Sequence, residues 1–220
     1  LVWFGGSTLL LAAALSSLIH PWSDLSWWRV FRRCVSIAAV ISLWWLTTRV
    51  EKRGLRSYGF SNRPEGWRQL GLGIFLGAGA LLFWVALGLL TGKSEIAISP
   101  DTAKLWRVTL GFVPAALLVG VIEELVFRGF LLQHLLACSK LIAVIVSSAL
   151  YSLVHLRTPT LDLLTAFELI GLGLLGAVLA LSYLRTGQLY LAVGLHAVLA
   201  YGARVNKLWF VLPDFSSSWL

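Results

Sequence analysis

Long stretches without charged residues constrain the fold of this chain more than any other feature of its sequence. Residues 1–23 contain no Asp, Glu, Lys or Arg, and another such run lies between Arg68 and Lys93. A helix that crosses a bilayer needs about 20 predominantly apolar residues. The apolar runs are continuous rather than alternating, which favours helices over the strands of a β-barrel. The sequence therefore predicts a membrane protein built from transmembrane helices.

Further runs of this kind follow along the chain. They lie between Arg33 and Arg49, between Arg107 and Glu123, between Lys140 and Arg157, from Leu163 to Leu184 with Glu168 inside it, and after Arg185. The run that ends at Glu123 is too short to cross a bilayer alone. Residues 1–23 are interpreted as the first span rather than a signal peptide, because the run is too long for a signal core and lacks a basic n-region. We expect an all-α, polytopic transmembrane bundle of about seven helices.

The composition supports this class of protein. Hydrophobic residues make up 58% of the chain and charged residues only 13%, whereas charged residues make up about 25% of a typical soluble domain. Lys and Arg outnumber Asp and Glu by 18 to 10. They do not form a basic stripe interleaved with exposed aromatic residues, so a nucleic-acid partner is not predicted. Many of them fall in residues 49–68, which we expect to be a cytoplasmic loop.

Small residues recur at helical spacing inside the predicted spans. They are Gly73 with Gly77, Ala116 with Gly120, and Gly171 and Gly173 with Gly176. In a bilayer, small residues on one face of a helix allow a neighbouring helix to approach closely. We therefore expect these faces to be helix contacts.

The decapeptide VIEELVFRGF, at residues 121–130, places three charges inside an otherwise apolar stretch. A charged residue at the centre of a transmembrane helix costs roughly 2.5–3.5 kcal/mol, so such residues usually have a function. Residues four apart share a helix face, so Glu124 and Arg128 can form an ion pair, while Glu123 points about 100° away. One interpretation is a polar cavity in which Glu123 acts as a general base. The alternative is that the helix ends near Gly120 and the EELVFRGF turn lies in water at the interface.

Two histidines provide further polar groups at membrane depth. His155 ends an uncharged run and follows Tyr151 by one helical turn, and His196 lies near the middle of the last predicted span. Together with Glu123 they are hydrogen-bonding groups on three separate apolar helices, and each needs polar partners there. We therefore expect these three groups to lie together around one cavity.

Other titratable residues are less suited to such a cavity. His20 and His134 are predicted to be interfacial, since each lies near the end of an apolar run. Glu168 interrupts the run that begins at Leu163, where it can snorkel to water, pair with Arg157 or line the cavity. We favour the first two roles for this glutamate.

The charged decapeptide and the two histidines resemble the CPBP intramembrane endopeptidases. That family groups CAAX prenyl endopeptidases with bacterial bacteriocin-processing and immunity proteins. The matching residues are Glu123, Glu124 and Arg128 in EELVFR, Tyr151 and His155 in YSLVH, and His196 in GLHAVLA. The resemblance covers roughly residues 105–205. We therefore expect a single membrane domain over residues 1–220, with generic spans and a cytoplasmic loop in residues 1–104 and a catalytic core with a polar cavity in residues 105–205.

The resemblance implies a role for each matching residue. Glu123 and His155 would activate a water that attacks a peptide carbonyl, and His196 would stabilise the oxyanion. Glu124, Arg128 and Tyr151 would support these groups. The resemblance implies no cofactor. The alternative is zinc held by two histidines and a glutamate. The metal-free mechanism is favoured, because the sequence has no HExxH helix that would place metal ligands one turn apart.

The chain departs from the family pattern at two positions. Tyr151 stands where the family usually has Phe, and Ala200 stands where it commonly has Asn or Asp, four residues after the last histidine. An Asn or Asp at that position would add a hydrogen-bonding group beside the oxyanion.

The expected function is that of an intramembrane endopeptidase of the glutamate type, which hydrolyses a peptide bond of a membrane-associated protein or peptide. The alternative is a non-catalytic immunity or scaffold protein of the same fold. A proton-coupled carrier is disfavoured, because the sequence shows no repeated, broken helices. We expect a multi-pass protein of a bacterial plasma membrane, with the lipid bilayer and the peptide substrate as partners, and the sequence predicts no oligomeric state.

Overall fold

A computed structural model describes residues 1–60, 64–156 and 162–211 of the chain. Helices dominate these residues: α1 (Val2–Ile19), α2 (Trp27–Trp45), α3 (Pro64–Leu90), α4 (Thr102–Glu124), α5 (Lys140–Val154), α6 (Leu163–Thr186) and α7 (Tyr190–Trp209). The described residues pair as strands only in β1 (Glu95–Ile96) and β2 (Phe210–Val211), which are antiparallel. The predicted all-α class is confirmed.

Within the described residues, five stretches are helical, long and apolar enough to cross a membrane: Val2–Trp22, Trp27–Val50, Pro64–Leu90, Thr102–Leu135 and Leu163–Thr186. The protein is therefore a multi-pass integral membrane protein. The helices α5 and α7, which were predicted to be spans, are not among these five. With 15 residues, α5 reaches only about 22 Å, which is less than the hydrocarbon thickness. Polar and charged residues such as Arg204 and Lys207 make α7 less apolar.

The chain folds as two compact units, and each draws on two separate stretches of sequence. The first unit comprises Leu1–Ser61 and Glu124–Leu189, and the second comprises Asn62–Glu123 and Tyr190–Leu220. In the first unit α1 packs on α2 and α5 packs on α6, and in the second α3 packs on α7. The expected single membrane domain with a catalytic cavity stays a prediction.

Glycines hold α3 and α7 in backbone contact within the second unit. A Cβ atom at Gly73 would overlap the backbone carbonyl of Leu191, and one at Gly194 would overlap the carbonyl of Leu70. A Cβ at Gly77 would lie 2.9 Å from the Cβ of Val198. These contacts confirm the predicted helix-packing face of Gly73 and Gly77, because side chains larger than hydrogen would separate the two helices.

In the first unit only part of the predicted glycine face on α6 is a close contact. A Cβ at Gly176 would lie 3.0 Å from the Cα of Ser148 on α5, whereas one at Gly171 would meet nothing within 4 Å. Side-chain caps define where these two helices begin. Ser139 accepts a hydrogen bond from the backbone N–H of Ile142 at the start of α5, and Asp162 accepts one from Thr165 at the start of α6. The backbone hydrogen bond from Thr165 lowers the pKa of the Asp162 carboxyl.

The helix that carries the charged decapeptide does not end near Gly120. It continues beyond α4 as the π-helical stretch Leu125–Leu132 and then as the short α-helical turn Gln133–Leu135. Arg128 and Phe130 are fully buried in this stretch. The alternative of a wet interfacial turn is therefore wrong. This continuation supplies the length that the uncharged run before Glu123 lacks.

Candidate active site

Glu123 and His196 face each other in the second unit. The His196 Nε2 atom lies 3.7 Å from the Glu123 Oε2 atom, with 4% of the histidine side chain and 23% of the glutamate side chain exposed. A carboxylate in such a half-buried position retains access to a small polar molecule while it is partly removed from bulk solvent. The structure thus brings together two of the three groups that the sequence predicts to share a cavity.

The close approach of α4 and α7 at Gly120 explains why this pair forms. A Cβ atom at Gly120 would lie 3.1 Å from the carbonyl oxygen of Val193 and 3.2 Å from the backbone nitrogen of Ala197. Glu123 follows this contact by about one helical turn, and His196 lies between the two α7 residues that form it. The predicted small-residue face therefore positions the carboxylate against the imidazole.

The neighbouring carboxylate has a different partner, which belongs to the first unit. Arg128 Nη1 donates to Glu124 Oε1 at 2.9 Å, and both side chains are completely buried. Arg128 Nη2 donates to the carbonyl oxygen of Gly176 on α6 at 3.0 Å. The ion pair that the i,i+4 spacing predicts is present. Loss of either partner of a buried ion pair strongly destabilises a protein, because the other charge then remains buried alone.

Aromatic rings enclose the guanidinium of Arg128. Its Cζ atom lies 4.6 Å from the centre of the Tyr151 ring and 5.8 Å from that of Phe127. The two rings meet edge to face, with centroids 5.4 Å apart. This is favourable cation–π geometry, and it connects the π-helical stretch to α5. Tyr151 thus packs against the guanidinium of the ion pair, and its predicted supporting role in catalysis stays a prediction.

His155 lies at the end of α5, one turn beyond Tyr151. Its Nδ1 atom is 2.8 Å from the Tyr151 carbonyl oxygen, and the two rings have centroids 4.6 Å apart. A carbonyl oxygen can only accept, so Nδ1 carries the hydrogen and Nε2 carries the lone pair of a neutral ring. The residue is half-buried, with φ −87° and ψ −4°, a sparsely populated backbone region where many active-site residues lie. Its convergence with Glu123 and His196 stays a prediction.

A further polar cluster in the first unit escaped prediction from the sequence. Glu51 Oε1 lies 3.0 Å from His134 Nε2, and Glu51 Oε2 accepts a hydrogen bond from the Tyr58 hydroxyl. Glu51 and His134 are far apart in sequence, so no local spacing could reveal the pair. The predicted interfacial placement of His134 omitted this contact. Glu168 is exposed on α6, whereas Arg157, its suggested partner, lies outside the described residues.

The zinc alternative depends on the positions of possible ligands. Among residues 1–60, 64–156 and 162–211, no group of three or more His, Cys, Asp or Glu side chains is placed to hold a metal ion. The choice between zinc and a metal-free reaction stays a prediction.

Residues 105–201 match the family model described as Type II CAAX prenyl endopeptidase Rce1-like. No curated protein and no solved structure matches the chain. The matched stretch includes the EELVFR, YSLVH and GLHAVLA motifs. The match over residues 105–201 supports the CPBP/CAAX protease family for this chain.

Proposed function

We propose that this protein is an intramembrane endopeptidase in which Glu123 activates a water molecule for attack on a peptide bond. Family membership indicates a protease of the CAAX type in general. The observation that supports the glutamate mechanism is the pairing of a half-buried carboxylate with an imidazole at 3.7 Å within the matched region. A membrane-associated protein or peptide is the proposed substrate, and a bacterial plasma membrane is the proposed location.

The distance between the two groups suits a shared ligand better than a direct hydrogen bond. Direct N–H···O bonds have lengths of about 2.7–3.2 Å, and the Nε2–Oε2 distance is 3.7 Å. An oxygen atom with hydrogen bonds of about 2.8 Å to both groups would complete a triangle with an angle of roughly 80° at that oxygen. A water, or later the substrate carbonyl oxygen, is such a ligand.

The proposed reaction balances in two steps. Glu123 takes a proton from water while the water oxygen forms a bond to the carbonyl carbon, and the carbonyl oxygen becomes an oxyanion that accepts a hydrogen bond from His196. Glu123 then returns the proton to the amide nitrogen as the carbon–nitrogen bond breaks. The products are a carboxylic acid and an amine, and transfer of the acid's proton to the amine gives a carboxylate and an ammonium. General-base help of this kind contributes about 10²–10⁴-fold to a rate.

His155 is proposed to share in water activation, as the family resemblance implies. Its Nδ1 donates to the Tyr151 carbonyl oxygen, so Nε2 is the nitrogen that can accept a proton. The proposed supporting role of Glu124 and Arg128 is to fix the backbone beside Glu123. Their ion pair directs Arg128 at Glu124.

Single substitutions test this proposal. The variants Glu123→Gln, His155→Gln and His196→Gln should each lower the rate of cleavage of a membrane-anchored, fluorogenic peptide by about 10²-fold or more. His20→Gln and Glu168→Gln are matched controls that should cleave at the parental rate. Melting temperatures in detergent would show that all variants remain folded. Retention of parental activity by Glu123→Gln would overturn the mechanism.

The metal-free reaction has its own test. The purified protein should keep its cleavage rate after treatment with a strong zinc chelator, and elemental analysis should find less than one zinc per chain. Loss of activity on chelation, with recovery on addition of zinc alone, would favour the metal alternative.

Ala200 favours one second candidate, a non-catalytic immunity or scaffold protein of the same fold. Ala200 lies one turn after His196 on the same face of α7, where the family commonly has a hydrogen-bonding side chain. Loss of one oxyanion donor can cost about 2.7–4 kcal/mol in an enzyme that relies on it. Ala200→Asn should therefore raise the cleavage rate if Glu123 and His196 are catalytic. Absence of cleavage by both the parent and Ala200→Asn, across a panel of membrane-anchored peptides, would favour the scaffold.

A further inference from the structure

A group of exposed basic side chains lies on the turn that follows the second candidate span, Trp27–Val50. Arg49, Lys52, Arg53 and Arg56 are all exposed within residues 49–56, which we name the basic turn. None of these residues has a place in the proposed reaction. The basic turn therefore requires a separate explanation.

Tryptophans show the depth at which the basic turn begins. Trp44 and Trp45 are 53% and 39% exposed near the end of α2. The Trp45 ring stacks on that of Trp3, with centroids 4.8 Å apart. Exposed tryptophans of membrane proteins concentrate at the bilayer interface. Arg49 follows Trp45 by about one helical turn, so the basic turn begins at the level of the lipid headgroups.

The one acidic residue of the basic turn is directed into the protein. Glu51 is 19% exposed and bonds to both His134 and the Tyr58 hydroxyl. Burial, and then the hydrogen bond to Glu51, raise the pKa of Tyr58, so the phenol keeps its proton and remains a donor. Glu51 is therefore held by internal partners, and the charges that the turn presents to its surroundings are cationic.

The basic turn has a defined shape rather than that of a loose tail. Tyr58 is completely buried, and a Cβ at Gly129 would lie 2.9 Å from its carbonyl oxygen. The backbone N–H of Arg53 donates to the Thr47 carbonyl, and its guanidinium lies 5.4 Å from the centre of the Tyr58 ring. Lys52 has φ 53°, a left-handed conformation that a non-glycine residue keeps only where its surroundings fix it.

We propose that the basic turn binds the phosphate groups of anionic lipids at the membrane interface. Each Lys or Arg close to an anionic membrane surface contributes about 1 kcal/mol, which corresponds to roughly a fivefold change in affinity. The position beside interfacial tryptophans favours a lipid over a soluble acidic peptide. This inference is independent of the peptidase mechanism, since it involves none of the residues proposed for catalysis.

Native mass spectrometry of the purified protein in detergent can test this proposal. Dioleoyl phosphatidylglycerol and dioleoyl phosphatidylcholine serve as the anionic and neutral probes. The parent should bind phosphatidylglycerol at least tenfold more tightly. The double variant Lys52→Asn/Arg56→Gln should weaken phosphatidylglycerol binding by fivefold or more and leave phosphatidylcholine binding unchanged. Asparagine is chosen at position 52 because it tolerates a positive φ.

Two matched variants separate charge from structure. Lys52→Arg/Arg56→Lys keeps both charges and should bind phosphatidylglycerol as the parent does. Lys104→Gln/Arg107→Gln removes the same number of charges next to Asp101, which offsets one of them, and should change the affinity by less than twofold. Equal affinity of the parent for the two lipids, or equal losses in both charge-removing variants, would overturn the proposal. Tighter binding of hexaglutamate than of phosphatidylglycerol to the parent would assign the turn to an acidic peptide instead.

Discussion

Replacing Gly120 by a larger residue would push apart the two helices that bring Glu123 and His196 together. The Cβ atom of alanine at this position would lie 3.1 Å from the Val193 carbonyl oxygen, whereas ordinary contacts of a Cβ begin at 3.4 Å. Alanine therefore requires a shift of about 0.3 Å. Valine places two further carbons in the same space and requires a shift on the order of 1 Å, which is comparable with the overpacking that destabilises protein cores.

The effect on activity follows from these displacements. The Nε2–Oε2 distance of 3.7 Å would grow to about 4.0 Å in Gly120→Ala and towards about 4.7 Å in Gly120→Val. A misplacement of about 1 Å can cost 10²-fold in rate, so we expect kcat/KM to fall a few-fold for alanine and about 10²-fold for valine. For alanine, a helix-propensity gain of about 1 kcal/mol offsets part of the roughly 1–3 kcal/mol cost of the contact. Gly120→Ala should therefore remain folded.

A glycine on the same helix provides the control. A Cβ atom at Gly111 would meet nothing within 4 Å, so Gly111→Ala and Gly111→Val should keep parental kcat/KM. Cleavage of a membrane-anchored fluorogenic peptide, with melting temperatures from tryptophan fluorescence, measures both quantities. If Gly120→Val melts within a few degrees of the parent and keeps parental kcat/KM, the helix contact does not set the catalytic geometry.

Further substitutions test the packing around the buried ion pair by equilibrium unfolding in detergent. Arg128→Lys keeps the charge but loses the second hydrogen bond, which Arg128 donates to the Gly176 carbonyl oxygen. This variant should reduce the free energy of unfolding by about 1.5–3 kcal/mol. An unchanged value would mean that this hydrogen bond contributes nothing to stability. Tyr151→Phe keeps the ring beside the guanidinium and should change the free energy of unfolding by less than about 1 kcal/mol. Tyr151→Leu should cost about 2 kcal/mol more, because it loses the cation–π contact. Equal effects of the two variants would contradict the assigned role of the ring. Gly176→Val would overlap Ser148 and should destabilise the protein by about 1–3 kcal/mol or more, whereas Gly171→Val, in open space, should not.

Local spacing predicted the features that depend on neighbours along one helix. The uncharged runs predicted about seven spans, and five helical stretches among the described residues are long and apolar enough to cross a bilayer, because burying charge in hydrocarbon is costly whatever the fold. The i,i+4 spacing predicted the Glu124–Arg128 pair, and the glycine spacing predicted the contact face at Gly73. Each of these follows from helix geometry alone.

Features that depend on distant residues could not be predicted in the same way. The pairing of Glu51 with His134 joins a turn after α2 to the helix after the π-helical stretch. The π-helical stretch could not be predicted from local spacing either, because its wider hydrogen-bonding pattern depends on how the surrounding helices pack against it. His155 is a further example. Its contacts with Tyr151 lie within one helix, whereas its proposed catalytic partners lie on other helices, which local spacing does not place.

The adjacent residues Glu123 and Glu124 have different partners, because consecutive residues of a helix point in directions about 100° apart. Glu124 is fully buried and bonded to a guanidinium, while Glu123 is 23% exposed and faces an imidazole. If both carboxylates shared one arginine, the proposed general base would be neutralised and the buried charge would be less fully compensated. The step of about 100° between consecutive residues directs the two carboxylates to different sides of the helix. A Glu-Glu pair followed by Arg four residues after the second glutamate thus gives one carboxylate a structural partner and suits its neighbour to the proposed catalysis.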